Sequence, residues 1–144
     1  AVVDRFVALK AASDRHAPAL TQRVLARFMS EGRLAAHLRR MRTLYAGRRA
    51  ALLQAIGTEA KGLLAAEGAT EAGLHLVTRL LVGGDDVAIS LQAQAQRVHA
   101  SPLSTYYAGP RRERGFVLGF AGTPEAEMAP AVRRLGAAIR QAQA

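Results

Sequence analysis

Apolar residues recur at intervals of three and four through the first third of the chain, the spacing of helices with one greasy side. Val3, Phe6 and Val7, with Lys10, make one or two amphipathic turns. Ser13, Asp14 and His16, just ahead of Pro18, carry the chemistry of a helix start. From there Leu20, Val24, Leu25, Phe28 and Met29 predict a buried helical stripe that ends at Gly32. A longer helix is predicted over residues 33–56, with Gly57 as its stop. Its apolar residues Leu34, Leu38, Met41, Tyr45, Leu52 and Ile56 share one arc at about 100° per residue. Beyond Gly57 the period shortens. Residues 63–66 predict a strand, and residues 73–81 predict another. In the second, Leu74, Leu76 and Leu80 lie on one face, and His75, Val77 and Arg79 on the other. Gly83 and Gly84 make a turn, and Asp85 or Asp86 caps a helix reaching about Arg97. Residues 98–107 predict extended chain, and residues 116–121 a strand with Phe116, Leu118 and Phe120 on one side. Thr123 and Pro124 open a last helix, and Pro130 within it implies either a true start near Glu127 or a kink at Pro130.

The order helix, helix, strand, strand, helix, strand, strand, helix describes an α+β fold. A small, mostly antiparallel sheet with helices on one face would follow a long N-terminal helical segment. A length of 144 residues suits one domain, or one domain with part of another. The absence of cysteine excludes disulfides, Cys-ligated zinc and thiol catalysis. The longest apolar stretch, residues 73–84, is interrupted by Arg79 and falls short of the roughly 18 residues a membrane-spanning helix needs. Asp4 and Arg5 do not fit a secretory signal, so a soluble cytoplasmic protein is expected.

Charge raises a second possibility. Twenty Lys and Arg residues against eleven acids give a net charge of +9, which invites a nucleic-acid reading. However, Arg33, Arg39, Arg40, Arg42, Arg48 and Arg49 spread around the polar circumference of the long helix instead of gathering on one side. That spread suits a solvated face or a domain interface better than a groove binder. Arg111, Arg112 and Arg114 form a separate basic loop that could hold an anion. The histidines His16, His37, His75 and His99 show no metal-ligand spacing, so no metal is expected. His75, mid-strand and opposite the leucines, is a candidate for a surface that meets another domain. No serine elbow and no phosphate loop is present, and Lys10 and Lys61 sit in a short surface-type helix and a Gly-flanked turn. No catalytic residue is expected.

Four stretches together resemble a known family. The run KAASDRHAPALTQRVLARFMSEGRLAAHLRRMRTLYAGRRAALL (10–53) resembles the aminotransferase-like part of MocR-type regulators, a branch of the GntR transcription factors. EAGLHLVTRL (71–80), PLSTYYAG (102–109) and RGFVLGFAG (114–122) agree in order and spacing, and HLRRMRTLY is the most specific piece. The resemblance implies that residues 1–32 close a large domain and its connecting helix. Residues 33–144 would form a C-terminal small domain of the aminotransferase type. It implies pyridoxal phosphate in the parent protein, bound by an upstream lysine that this chain does not contain, and no cofactor-binding residue here. It implies a homodimer that meets DNA only through an N-terminal winged helix. It further implies that the small domain partners the large one. In fold-type-I aminotransferases, a late-strand arginine in a pattern like RLSFA holds the substrate carboxylate. Here the matching stretch reads VLGFA, and Val117 takes that place. Arg114 and Arg112 are then the nearby candidates for an effector carboxylate, although an offset of three on a strand points Arg114 to the other face. A regulatory, non-catalytic lobe is the expectation. The alternatives are the small domain of a true aminotransferase and a stand-alone basic nucleic-acid module, whose binding would weaken steeply with salt.

Overall fold

The computed structural model describes residues 2–13, 18–67, 73–110 and 113–143. Asp14, His16, Arg111 and Arg112 lie outside the described residues. Two compact units divide at residues 42 and 43, ten residues beyond the Gly32 division that the family resemblance implies.

The first unit holds α1 (Val2–Ser13), α2 (Ala19–Ser30) and the opening of α3 (Arg33–Glu59). Gly32, at φ +74°, ends one helix and starts the next. Its N–H donates to the Met29 carbonyl at 3.0 Å, and its own carbonyl accepts from the Ala36 N–H at 3.0 Å. The periodicity is right about helix in α2 and wrong about burial. Leu20, Val24, Leu25, Phe28 and Met29 are all exposed, and no described residue of α1 or α2 is buried. A stripe becomes a core only where a second layer covers it, and a unit of this size has too little surface to supply one.

The second unit contains the rest of α3, then β1 (Leu64–Glu67), β2 (His75–Leu80), α4 (Asp86–Ala95), β3 (Ser101–Pro102), β4 (Gly115–Gly119) and α5 (Glu125–Gln141). The four strands form one antiparallel sheet in the order β1-β2-β4-β3. Strand alternation sets its two faces. Leu76 and Leu80 of β2, with Phe116 and Leu118 of β4 and the adjoining Phe120, point into the core. The helices supply Leu52, Ala55 and Ile56 from α3, Ile89 and Ala93 from α4, and Met128, Val132, Leu135 and Ile139 from α5. The α+β class, with helices on one face of a small antiparallel sheet, is as the sequence implies. Thr78 is fully buried on the core side, and its hydroxyl donates to the Phe116 carbonyl at 3.0 Å.

Three local expectations change or narrow. First, α3 runs past Gly57 to Glu59. A glycine inside a helix costs only about 1 kcal/mol, and burial of Ile56 and Ala60 on either side outweighs it. Second, α5 starts at Glu125, as Thr123 and Pro124 predict, and not near Glu127; it contains Pro130. So near the helix start, the missing N–H removes only the bond to the Ala126 carbonyl. Third, residues 98–107 are mostly not strand. Only Ser101 and Pro102 pair with β4, and Leu103–Tyr106 is a 3-10 turn.

The buried carboxylate of Asp86 explains that turn. It accepts from the Ser104 hydroxyl at 2.6 Å, the Ser104 N–H at 2.9 Å and the Gly115 N–H at 3.2 Å. One side chain thereby ties α4, the turn and β4 together. The cap of α4 is its neighbour Asp85, which accepts from the Val87 N–H at 3.0 Å. At the far end of the unit, Arg133 donates to both carboxylate oxygens of Glu59, at 2.8 and 2.9 Å. These hydrogen bonds hold the Glu59 carboxyl below its ordinary pKa.

Candidate functional site

The sheet has one face with no helix of the second unit on it. His75, Val77 and Arg79 of β2 and Val117 of β4 lie there, and each is exposed or half-buried. Small residues sit between them. Gly115 stands opposite Arg79, and a Cβ on it would fall 1.9 Å from the Thr78 carbonyl oxygen, so no side chain fits. Gly119 stands opposite His75, and a Cβ on it would crowd the imidazole at 3.3 Å.

A cleft of about 590 Å³ opens at the β3–β4 end of the sheet. β3 and β4 pair only at Ser101 with Val117 and Pro102 with Phe116. Residues just before β3, residues just after β4 and residues of α5 line it. His75, Val117 and Gly119 reach it from the open face, and Arg97, His99 and Arg134 line it as well. The size falls within the range of small-molecule sites, about 300–1,000 Å³.

The residues singled out from sequence separate here. His75 and Val117 share the cleft. Arg114 does not line it: it precedes β4, and its guanidinium donates to the Gly84 carbonyl in the turn before α4. Arg112 lies outside the described residues. Arg48 donates to the Ala121 carbonyl, tying α3 to the segment after β4. Arg97 and Arg134 were not singled out by sequence reasoning.

Lys10, in the last turn of α1, and Lys61, in the turn after α3, are the two lysines of the chain, and neither lines the cleft. The residues present therefore do not fit an imine-bound pyridoxal phosphate held by this chain alone. No group of metal-ligating side chains is found among the described residues. No helix among them is long and apolar enough to cross a membrane.

No protein-family model matches the chain. Among curated proteins, it is 32% identical over 138 residues to the probable rhizopine catabolism regulatory protein MocR of Rhizobium meliloti. That match covers 96% of this chain and 28% of the relative. It is 29% identical over 115 residues to the uncharacterized HTH-type transcriptional regulator YhdI of Bacillus subtilis, covering 80% of this chain and 24% of that protein. The chain thus spans about a quarter of the length of these relatives.

Solved structures agree on the fold. The α-aminoadipate aminotransferase LysN of Thermus thermophilus, complexed with a phosphopyridoxyl-leucine, superposes with a TM-score of 0.81 at 24% identity, over 99% of this chain and 36% of that one. The kynurenine aminotransferase of Pyrococcus horikoshii gives 0.83 at 22% identity, over 97% and 34%. Sequence and fold together identify the chain as part of a MocR-type aminotransferase-like domain.

Proposed function

We propose that this chain is the small effector-domain lobe of a pyridoxal-phosphate-dependent transcription regulator. It closes over a cofactor cleft formed by a large domain and passes ligand occupancy on to a DNA-binding part. Residues 1–32 belong with the large domain and its connecting helix, and residues 33–144 with the small lobe. The cofactor is held outside these residues, and the lobe supplies no catalytic group. The parent protein acts as a homodimer in the cytoplasm and touches DNA through a separate winged helix.

The observation that carries this reading is Val117. It lies on the open sheet face and lines the cleft, in the place where the resemblance puts an aminotransferase's carboxylate-binding arginine. A guanidinium matches a carboxylate with a fork of two donors, whereas valine offers none. A substrate amino acid would lose its main anchor there, while a lobe that only reports occupancy has no need of it. His75, exposed on the same face, is the residue we assign to the contact with the large domain. Coupling to DNA requires the ligand to favour one lobe arrangement over the other.

The test uses the full-length protein and a DNA site that it selects from a random-sequence pool. Pyridoxal phosphate is expected to change the affinity for that site. Turnover of common amino acids with a keto acid is expected to stay far below the enzyme median of about 10 s⁻¹. Ordinary transaminase rates with no effect of the cofactor on DNA binding would replace this reading with that of a true aminotransferase.

A further inference from the structure

We propose that the cleft at the β3–β4 end of the sheet binds a small organic carboxylate with an apolar body, its acid group held by Arg97 and Arg134. The inference goes beyond the regulator reading, because it concerns what this chain binds by itself.

Arg97 has φ +60°, the one non-glycine residue with positive φ among the described residues. It occupies the left-handed position that closes α4. Its N–H donates to the Gln94 carbonyl at 2.9 Å, and the Val98 N–H donates to the Ala93 carbonyl at 2.9 Å. Glycine adopts this conformation at least cost, so an arginine here carries backbone strain for the sake of its side chain. Strain kept at a residue that lines a cleft points to use of that residue.

Arg134 is the second arginine of the lining. It projects from α5 into the same cleft, and its Nε is buried without a hydrogen-bond partner among the described residues. That nitrogen is shut off from the cleft's water, so the outer guanidinium nitrogens are the ones that can meet an anion there. No ion pair engages Arg97 or Arg134 among the described residues. His75 and His99 add two further side chains able to donate, and Glu127 is the only carboxylate in the lining among the described residues. The local field therefore favours a negative ligand.

The rest of the lining decides which kind. Leu52, Val98, Met128 and Leu135 border the same space. A bare inorganic anion would leave these surfaces uncovered, whereas a hydrocarbon body covers them. Val117 shares the lining, so the acid group is gripped from the end of α4 and the middle of α5 instead of from β4.

The experiment is calorimetric titration of the protein with benzoate, isocaproate, neutral benzamide and inorganic phosphate. Benzoate and isocaproate are expected to bind at least about tenfold more tightly than benzamide or phosphate. Arg134→Gln should weaken them about tenfold or more. Arg97→Gly should weaken them similarly while raising the melting temperature of the unliganded protein, because glycine relieves the left-handed backbone. That opposite movement of affinity and stability is a result that a merely structural arginine cannot give. Failure of both carboxylates to bind, equal binding by the wild type and Arg97→Gly, or phosphate binding as tightly as benzoate would each overturn the proposal. The regulator reading is tested on DNA and is untouched by these outcomes.

Discussion

α2 and α5 are two amphipathic helices of similar regularity with opposite fates. α5 buries Met128, Val132, Leu135 and Ile139 against the sheet. α2 leaves Leu20, Val24, Leu25, Phe28 and Met29 exposed. The same contrast holds between the units. Residues 43–144 contain the continuous core, and the described residues of 1–42 contain no buried side chain. Periodicity in a sequence states which side of a helix is apolar. Whether that side contributes stability depends on what covers it, and only the second unit carries its own cover.

The largest expected effect tests the tightest point of that core. Gly115→Val should unfold the second unit, a loss above about 4 kcal/mol, because the new Cβ has no room beside the Thr78 carbonyl. A native-like urea midpoint would show that β2 and β4 can slide apart. Next comes a matched pair across the two units. Phe116→Ala removes a fully buried ring and should cost about 3–5 kcal/mol in urea unfolding. Phe28→Ala, on the exposed stripe of α2, should stay within about 0.5 kcal/mol. Equal losses would erase the contrast between the units.

Asp86→Ala should cost about 2–4 kcal/mol, since it strands the Ser104 and Gly115 donors in the interior. Amide hydrogen exchange should show faster opening at Ser104 and Gly115 first. The smallest effect belongs to the surface pair of Glu59 and Arg133. The folded state lowers the Glu59 pKa, so its contribution is present above the ordinary glutamate pKa. It is lost as pH falls through the lowered value. Glu59→Gln should flatten the acid limb of the stability curve, and added salt should mask the difference.

Much of this architecture was legible in the chain. Phe116, Leu118 and Phe120 alternate cleanly, and β4 follows from them because a half-buried strand needs that period. Leu76 and Leu80 place β2 in the same way. What stayed hidden was set at long range. Ser104 reads locally as part of an extended run, yet Asp86, eighteen positions earlier, bends it into a turn. Gly57 reads as a stop, yet the core holds the helix through it. The site was legible only in part. Val117 and His75 stand out by position in a motif or by strand alternation. Arg97 and Arg134 look like two more members of a basic surface until the backbone angle of one and the cleft they share are seen. Nothing local distinguishes a solvated arginine from one waiting for an anion.

Among the described residues, both outer strands of the sheet are short. β1 is four residues long, with Glu67 at its tip paired to Arg79 of β2 at 3.3 Å. β3 is two residues long, and the second is Pro102, which has no N–H to offer. Another copy approaching either margin finds too little ladder to zip onto. An unfinished or crowded chain is thereby kept from growing edge to edge into fibres, a safeguard that costs the fold only two truncated strands.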